Sequence, residues 1–286
     1  MTTLREIRKR LQAAGNIKQI TKAMELVAAA RLHRAQVKAA QTKLYANKMK
    51  QIKENIASAS IDFVHPLLET RKVQKVGLVV ISADRGLCGP YNTNVFAASD
   101  LFLKNQAPQQ LDLILIGRKA IDYYERRKMP VKYQIPDWVG KTSFSKVKTL
   151  ANQLITWFLL GELDEIWLIY THFTSIMNRK VVTEKFLNID IPKAGGKKKA
   201  IANYIFEPNP AEIYAEILPR YLITKIEAAL DDAYASELAA RILSMRSATK
   251  NAEEMIESLT LVRNKVRQTG ITKEILEIIS GAERLK

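Results

Sequence analysis

The positions of glycine and proline constrain this chain more than any other sequence feature. Neither residue occurs between Gly15 and Pro66 or between Pro219 and Gly270. Each of these windows, about 50 residues long, can form one continuous helix of about 75 Å. Such helices far exceed the average globular helix of about 11 residues. Because the breakers cluster between Pro66 and Pro219, we expect one long helix at each end and a compact unit between them.

Apolar residues recur in both windows at alternating steps of three and four, which is the pattern of a coiled-coil seam. The N-terminal seam is predicted at Ile17, Ile20, Met24 and Val27, and the C-terminal seam at Leu238, Ile242, Met245, Ala248, Ala252, Met255, Leu259, Val262 and Val266. Since a compact unit separates two windows of similar length, an antiparallel pairing of the two helices is the simplest arrangement. Two separate surface helices are the alternative.

The middle of the chain has the pattern of an α/β unit. Three apolar runs of strand length, at residues 76–83, 111–117 and 166–171, lack the alternation of a half-exposed strand. Helices are predicted between and beside them, at residues 93–104, 118–128 and 145–160, with a further edge strand at residues 181–189. The strand, helix, strand order favours a largely parallel sheet with right-handed crossovers.

These patterns predict a mixed α+β and α/β fold. A long antiparallel coiled coil forms from the N- and C-terminal helices, and a Rossmann-like α/β domain is inserted between them. The inserted domain is predicted at residues 73–205. Residues 1–65 and 209–286 supply the two helices and together form one discontinuous domain.

The net charge of +16 is unevenly distributed. Residues 1–60 hold 13 Lys and Arg against 3 acidic residues, whereas residues 220–286 hold 11 against 10. A basic segment of this kind can meet nucleic acid, anionic lipid or an acidic protein surface. A basic coiled-coil protein that binds nucleic acid is therefore one functional hypothesis. Tyr45 is the only aromatic residue of the segment, which disfavours base stacking there.

Composition disfavours several other classes of protein. Cys88 is the only cysteine, so the chain has no internal disulfide. The three histidines are far apart and lack metal-ligand spacing, and no apolar run approaches the roughly 20 residues that span a bilayer. The N-terminus also lacks the apolar core and cleavage site of a secretory signal. We therefore expect mature sequence, without a metal site and without membrane insertion.

Residues 81–92, ISADRGLCGPYN, first look like an active-site turn. A dinucleotide turn needs G-x-G-x-x-G, and this segment offers only Gly86 and Gly89 before Pro90. No P-loop occurs in the chain, and Pro90 also replaces the second glycine of a nucleophile elbow. These absences disfavour a nucleotide-binding α/β enzyme. They favour Cys88 as a small buried residue in a strand-to-helix turn.

Four segments carry a more specific signal. They are IKQITKAMELVAAARLHRAQ (17–36), DRGLCGPYN (84–92), ASELAARILSMRSATKNAEEMI (235–256) and ITKEILEIISGAER (271–284). Together they resemble the gamma-subunit family of F-type ATP synthases, in the family's order and over nearly the whole chain. The last segment matches the family pattern I-T-x-E-x-x-E-x-x-x-G-A at every defined position.

The resemblance implies a function that periodicity does not reveal. In the family the two helices pierce a ring of alternating alpha and beta subunits, and the α/β unit lies at the foot beside epsilon and the membrane c-ring. Ion flow turns the c-ring and gamma together, and the asymmetric shaft drives each beta site in sequence through ATP synthesis. Hydrolysis drives the reverse. The resemblance therefore implies a rotor subunit with no catalytic residue and no cofactor.

The resemblance also implies partners and a location. The partners are the alpha and beta subunits, epsilon and the c-ring, with no nucleic acid. A bacterial member is implied, peripheral to the cytoplasmic face of the plasma membrane, although a processed mitochondrial chain stays open. The single cysteine excludes the dithiol regulatory loop of chloroplast forms.

Contact residues follow from the resemblance, position by position. It implies that the chain contacts beta through Met24, Asp84, Arg85, Cys88, Arg267, Gln268 and Thr272. The residues expected to turn inside an apolar sleeve are Ile271, Ile275, Leu276, Ile278 and Ile279. Tyr204 and Glu207 match a segment on the side of epsilon and the c-ring. One departure is Gly89-Pro90, where the family usually has Gly-Gly, and it stiffens the turn after Cys88.

Overall fold

The computed structural model describes residues 3–59, 65–106, 110–138, 140, 143–189 and 210–283. Its elements, in chain order, are α1 (Leu4–Ala59), a 3-10 helix (Pro66–Leu68), β1 (Lys75–Ile81), α2 (Tyr91–Asn105), β2 (Gln110–Ile116), α3 (Arg118–Glu125), β3 (Val131–Ile135), α4 (Phe144–Leu159), β4 (Glu165–Phe173), β5 (Arg179–Leu187) and α5 (Pro210–Glu283). The predicted fold class is confirmed, since long terminal helices flank a central α/β sheet.

Both long helices continue through residues that usually break helices. α1 has 56 residues and passes through Gly15, and α5 has 74 residues and passes through Pro219 and Gly270. A proline inside a helix costs about 3 kcal/mol, because a backbone hydrogen bond is lost and the ring clashes with the preceding turn. Leu218 and Leu222 flank Pro219 and are fully buried. Their packing offsets this cost.

The sheet has five strands in the order β3-β2-β1-β4-β5. β1 pairs in parallel with β2 and β4, and β3 is parallel to β2, whereas β5 runs antiparallel to β4. The largely parallel sheet is therefore confirmed, with β5 as the predicted edge strand. β3 was not predicted, because its sequence VKYQI has two polar residues and lies on the other, half-exposed edge.

The central strands are apolar throughout because helices cover both faces of the sheet. Leu78 and Val80 of β1 pack into a core that contains residues of α2 and α3. Val79 and Ile81 point to the other face, into a core that contains residues of α4 and α5. Successive side chains of a strand alternate between faces. A strand buried on both faces therefore shows no alternation of polarity.

The chain forms two compact units. One consists of Met1–Ala29 and Arg241–Lys286, and the other of Ala30–Ala240. In the first unit α1 and α5 run antiparallel, since Lys18 pairs with Glu253, Thr21 with Thr249 and Glu25 with Arg246. In the second unit Lys38 and Thr42 of α1 both bond the carboxylate of Asp231 on α5. The domain boundaries given by the sequence remain a prediction.

The N-terminal seam differs from the predicted one by about one residue. The buried residues of α1 include Ile7, Ala14, Thr21, Ala28 and Ala35, which follow a seven-residue repeat, with Glu25 and Leu32 between them. The predicted seam residues Ile17, Ile20 and Val27 are more than half exposed. Their placement in the seam was wrong because small and polar side chains, which allow close helix approach, form the contact in place of the largest apolar ones.

The C-terminal seam is closer to the prediction. Leu238, Ile242, Met245 and Ala252 are buried as expected. Thr249 is buried in place of the half-buried Ala248, and the predicted seam residues Met255 and Val262 are exposed. A threonine hydroxyl can enter the seam because it donates to the carbonyl oxygen of Met245 within its own helix.

Candidate functional site

The loop after β1 contains three of the predicted contact residues, and Asp84 holds it in place. The Asp84 carboxylate accepts hydrogen bonds from the backbone N–H of Arg118 at 3.0 Å and of Asp137 at 2.9 Å. Arg118 begins α3, and its guanidinium pairs with the Asp137 carboxylate. A carboxylate at a helix N-terminus satisfies an otherwise unpaired N–H. Asp84 therefore ties the ends of three neighbouring strands together.

Cys88 is a structural residue of this loop. Its side chain is 1% exposed and packs with Ala83, Tyr91 and Ala240. The Nδ2 of Asn92 donates to the sulfur at 3.3 Å, and the Oδ1 of Asn92 accepts from the N–H of Ala83. The structure thus places Cys88 as the buried cysteine of a strand-to-helix turn. Its sulfur lies beneath the surface that a partner would contact.

Arg85, Gly86 and Leu87 are exposed in this loop, as are Gly89 and Pro90 on the other side of Cys88. Leu87 is 62% exposed and has a φ of 63°. A large apolar residue in the left-handed region is uncommon and costs conformational energy. The sequence did not predict Leu87 as a contact residue, because its exposure and its positive φ are visible only in the structure. The sequence around it, Gly86-Leu87-Cys88, matches no contact motif.

The helix α5 crosses the position where doubly wound sheets bind nucleotides. That position is the carboxyl end of the sheet at the point where the strand order reverses, here between β1 and β4. The hydroxyl of Tyr91, after β1, donates to the carbonyl oxygen of Ala233 at 3.1 Å. At the end of β4, Ser236 donates to the carbonyl oxygen of Thr171 at 3.0 Å. Burial raises the pKa of Tyr91 well above its ordinary value, so the phenol stays a donor.

A second bond between β4 and α5 lies at the same carboxyl end of the sheet. The Nδ1 of His172 lies 2.5 Å from the carboxylate of Asp232. Among the described residues, no group of three His, Cys, Asp or Glu side chains is placed to hold a metal ion. The residues at the carboxyl end of this sheet bond to the chain itself. α5 therefore occupies the position at which a doubly wound sheet would bind a nucleotide.

Met24 lies on α1 beside the polar seam of the first unit. Its side chain is half-buried, whereas its neighbour Glu25 is buried. Glu25 accepts hydrogen bonds from Arg246 at 3.0 Å and Lys22 at 3.1 Å. These bonds hold the pKa of Glu25 below its ordinary value. Met24 therefore lies next to an ionised carboxylate of the helix contact.

The last turns of α5 carry the remaining predicted contact residues. Arg267, Gln268 and Thr272 are exposed, and the hydroxyl of Thr272 donates to the carbonyl oxygen of Gln268 at 2.9 Å. The predicted sleeve residues are all exposed, at 49–71%: Ile271, Ile275, Leu276, Ile278 and Ile279. Tyr204 and Glu207 lie outside the described residues.

Comparison with known proteins identifies the family. The sequence model of the ATP synthase family matches residues 3–285. The ATP synthase gamma chain of Protochlamydia amoebophila is 55% identical over the whole of both chains. The chain belongs to the ATP synthase gamma-chain family. The gamma chain of Desulfitobacterium hafniense is 38% identical, again over the full length of both chains. These relatives are bacterial, in agreement with the predicted bacterial member.

Solved structures of ATP synthases share the gamma-chain fold. A chain of the Euglena gracilis mitochondrial ATP synthase, from the structure of its OSCP, F1 and c-ring, has a TM-score of 0.71 at 18% identity. It covers 99% of this chain and 94% of its own length. A chain from the central stalk and c-ring structure of the Tetrahymena thermophila enzyme has a TM-score of 0.62 at 22% identity and covers 80% of this chain and 99% of its own length. None of the described helices is long and apolar enough to cross a membrane.

Proposed function

We propose that the chain is the central-stalk rotor subunit of an F-type ATP synthase. It transmits torque between the ion-driven c-ring and the ring of alpha and beta subunits, and imposes sequential conformations on the beta sites. The observation that carries this proposal is the 55% identity, over the full length, to an ATP synthase gamma chain. Catalysis takes place in the beta subunits, and the chain itself contributes no catalytic residue and no cofactor.

The end of α5 presents an exposed apolar surface that a partner can cover. At 100° per residue, Ile271, Ile275, Leu276, Ile278 and Ile279 spread over about 160° of the helix circumference. All five are exposed. An apolar surface of this extent on a helix is stable when another protein covers it. We assign that cover to an apolar sleeve of the alpha and beta subunits.

The polar residues of α5 supply directional contacts. Arg267 and Gln268 are exposed, and Thr272 lies one turn beyond Gln268 on the same side of the helix. Arg and Gln donate several hydrogen bonds, and the guanidinium suits a carboxylate. These three residues are proposed to engage polar and acidic loops of beta as the shaft turns, with Met24 as a further contact on α1.

The loop after β1 is proposed as a second contact with beta. Because Cys88 is buried, the surface that meets beta consists of Arg85 and Leu87. Asp84 fixes this surface through the backbone of Arg118 and Asp137. Cys88 takes part in the contact through the shape that it gives to the loop.

The remaining partners and the location follow the family. Tyr204 and Glu207 are proposed to face epsilon or the c-ring. Residues 1–65 and 209–286 are proposed to form the shaft, and residues 73–205 the foot domain inserted between them. The basic N-terminal helix then has an acidic protein partner, and family membership favours this assignment over nucleic-acid binding. The complex is placed at the cytoplasmic face of a bacterial plasma membrane.

A rotation assay tests the proposal. The chain is combined with alpha and beta subunits, the ring is immobilised, and a bead is attached to the foot domain. We expect no ATPase activity from the isolated chain and directional rotation of the bead during hydrolysis by the assembled ring. A chain that dissociates freely, or a bead that does not rotate, contradicts the proposal.

Variants at the end of α5 test the proposed contacts. Arg267→Ala combined with Gln268→Ala should lower torque or weaken assembly and leave the thermal unfolding of the isolated chain unchanged. The matched control is Lys273→Ala with Glu277→Ala, which removes an exposed pair one turn apart on the same helix. Equal torque and equal assembly in both double variants would show that the polar contact residues lie elsewhere.

A further inference from the structure

A group of five basic side chains lies at one edge of the sheet. β1, β2 and β3 are parallel, so the segments that lead into them meet at the same amino edge. Lys72 and Lys75 lead into β1, Lys104 lies at the end of α2 before β2, and Arg126 and Lys128 lie between α3 and β3. All five are exposed. We call these five residues the basic edge.

The acidic side chains beside the basic edge are mostly occupied by other partners. Asp164 accepts from the backbone N–H of Gln74 and of Lys75, both at 2.9 Å. Glu162 pairs with Lys132 at 2.9 Å, and Asp100 pairs with Arg127 at 3.1 Å.

The basic side chains themselves are not neutralised. Within the part of the chain that the structure describes, none of the five basic-edge side chains makes an ion pair or a hydrogen bond. Glu125 is the exposed acidic residue next to Arg126. Among the described residues, Asp164 bonds only backbone N–H groups and keeps its charge, so two carboxylates face five cations and the edge still has a net positive charge.

Helix ends explain only some of these charges. A cation near a helix C-terminus is favoured by the helix dipole, which accounts for Lys104 in the last turn of α2 and Arg126 directly after α3. Lys72 and Lys75 lie at the start of a strand and have no such role. Lys104 leads into β2, the neighbour of β1, and Lys128 leads into β3, the neighbour of β2. The four lysines therefore lie along the same amino edge, which suits a surface that meets negative charge.

Exposed leucines accompany the cations. Leu160 follows α4 at the same edge and is 69% exposed, and Leu101 lies one turn before Lys104 on α2 and is also exposed. Cations beside exposed apolar residues are typical of surfaces that bind lipid headgroups and dip into the interface. Nucleic acid would instead favour exposed aromatic rings. Phe102, beside these residues, packs against Trp167 with ring centroids 5.4 Å apart.

We propose that the basic edge binds the anionic headgroups of a phospholipid bilayer. The contact is electrostatic, through Lys72, Lys75, Lys104, Arg126 and Lys128, with Leu160 reaching into the headgroup layer. Each cation near an anionic membrane surface raises binding by about fivefold. This surface goes beyond the proposed rotor function, whose contacts are all with proteins.

Vesicle binding by the full chain tests the proposal. The chain is sedimented with phosphatidylcholine vesicles that contain increasing fractions of phosphatidylglycerol. Binding should rise with the anionic fraction, fall with added salt, and be absent from pure phosphatidylcholine. Lys72→Gln, Lys104→Gln and Lys128→Gln together, one change in each connecting segment, should weaken binding at least about fivefold.

A control of equal charge separates this surface from the overall positive charge of the chain. Lys9→Gln, Lys146→Gln and Lys148→Gln remove three exposed lysines outside the basic edge. This variant should weaken binding by less than about twofold. Leu160→Ser should weaken binding to anionic vesicles and keep its salt dependence. Both triple variants should keep the helical circular dichroism of the unaltered chain.

Three results would overturn the proposal. The first is an equal loss of vesicle binding in the two triple variants. The second is a basic-edge variant that binds vesicles normally but loses association with other ATP synthase subunits, which would assign the surface to an acidic protein. The third is binding to a short RNA duplex that is tighter than binding to vesicles and depends on the same lysines. None of these results bears on the rotation assay, so the two proposals fail separately.

Discussion

Arg246 on α5 donates from its Nε to the carboxylate of Glu25 on α1, with the two atoms 3.0 Å apart. The Glu25 side chain is 8% exposed, while Arg246 and Lys22, its two partners, are mostly exposed. The helix pair of this unit therefore holds an ionised carboxylate inside its seam and keeps the opposite charges at the solvent boundary. Glu25 contributes to register, because a shift of either helix would leave the charge buried without its partners.

This pair predicts a pH dependence of stability. The hydrogen bonds from Arg246 and Lys22 lower the pKa of Glu25 from 4.5 in the folded chain. A carboxylate whose pKa is lower in the folded chain stabilises the fold at pH values above its pKa in the unfolded chain. This stabilisation is lost as the pH falls through the lowered pKa. The free energy of unfolding, measured with urea, should therefore fall less on acidification in Glu25→Gln than in the unaltered chain. Glu254→Gln, which alters an exposed pair, should keep the full pH dependence, and identical curves for all three chains would contradict this account.

The buried threonines of the same seam should behave as a coupled pair. The hydroxyls of Thr21 and Thr249 lie 2.8 Å apart and are buried. Thr21→Val or Thr249→Val alone should cost about 1–2 kcal/mol of unfolding free energy, because the remaining hydroxyl loses a partner. The double variant should cost less than the sum of the two. Strict additivity in a double-mutant cycle would show that the two hydroxyls do not stabilise each other.

Two glycines should respond in opposite directions to the same substitution. Gly15 lies inside α1 with no atom within 4 Å of an added Cβ, so Gly15→Ala should stabilise the chain by about 0.5–1 kcal/mol. Gly117 has a φ of 95°, and a Cβ there would lie 2.2 Å from the carbonyl oxygen of Ser82. Gly117→Ala should lower the thermal unfolding temperature or prevent folding. Similar unfolding temperatures in the two variants would contradict these assignments.

Asp84 should support the contact loop through its acceptor oxygen. Asp84→Ala leaves the N–H groups of Arg118 and Asp137 without that acceptor and should cost about 1–3 kcal/mol. Asp84→Asn keeps a carbonyl oxygen and should recover most of this loss. Chemical denaturation of the three chains gives the comparison. A loss of equal size in both variants would mean that the negative charge, rather than the acceptor geometry, holds the loop.

A cysteine at position 87 should crosslink to a beta subunit, whereas the buried Cys88 should not. Cys88 is buried, so its thiol should react slowly in the folded chain and rapidly in urea. Leu87→Cys in a Cys88→Ala background places a thiol at an exposed position of the same loop. Within the assembled ring it should crosslink to a beta subunit that carries an introduced cysteine. A crosslink from Cys88 alone would contradict the buried placement.

The helices and strands could be predicted well because their signals are local. Long windows without glycine or proline and runs of β-branched residues lie within single elements, so α1, β1 and β2 appear close to their expected bounds. Pro219 was predicted to break the helix, but α5 continues through it. The burial of Leu218 and Leu222 stabilises the helix there, and burial depends on tertiary contacts that the local sequence does not show. β3 was missed since half-exposed edge strands have mixed polarity.

The candidate site was only partly readable from sequence. Motif spacing excluded a nucleotide turn around Gly86 and Gly89, and family resemblance indicated contact residues on both helices. The seam position of α1 depends on which face meets α5, and the apolar residues Ile17 and Val27 pointed to the wrong face. Leu87 has no motif at all, and only its backbone angle and exposure single it out.

The bonds between the sheet and α5 have a mechanical consequence. Tyr91, Ser236 and the pair of His172 and Asp232 join residues 232–236 of the helix to the carboxyl ends of β1 and β4. These bonds act in parallel, so twisting this part of the helix relative to the sheet would have to break all of them together. The load is shared instead of falling on one side chain. Within this unit, any force that turns the sheet therefore also turns the helix that is bound to it.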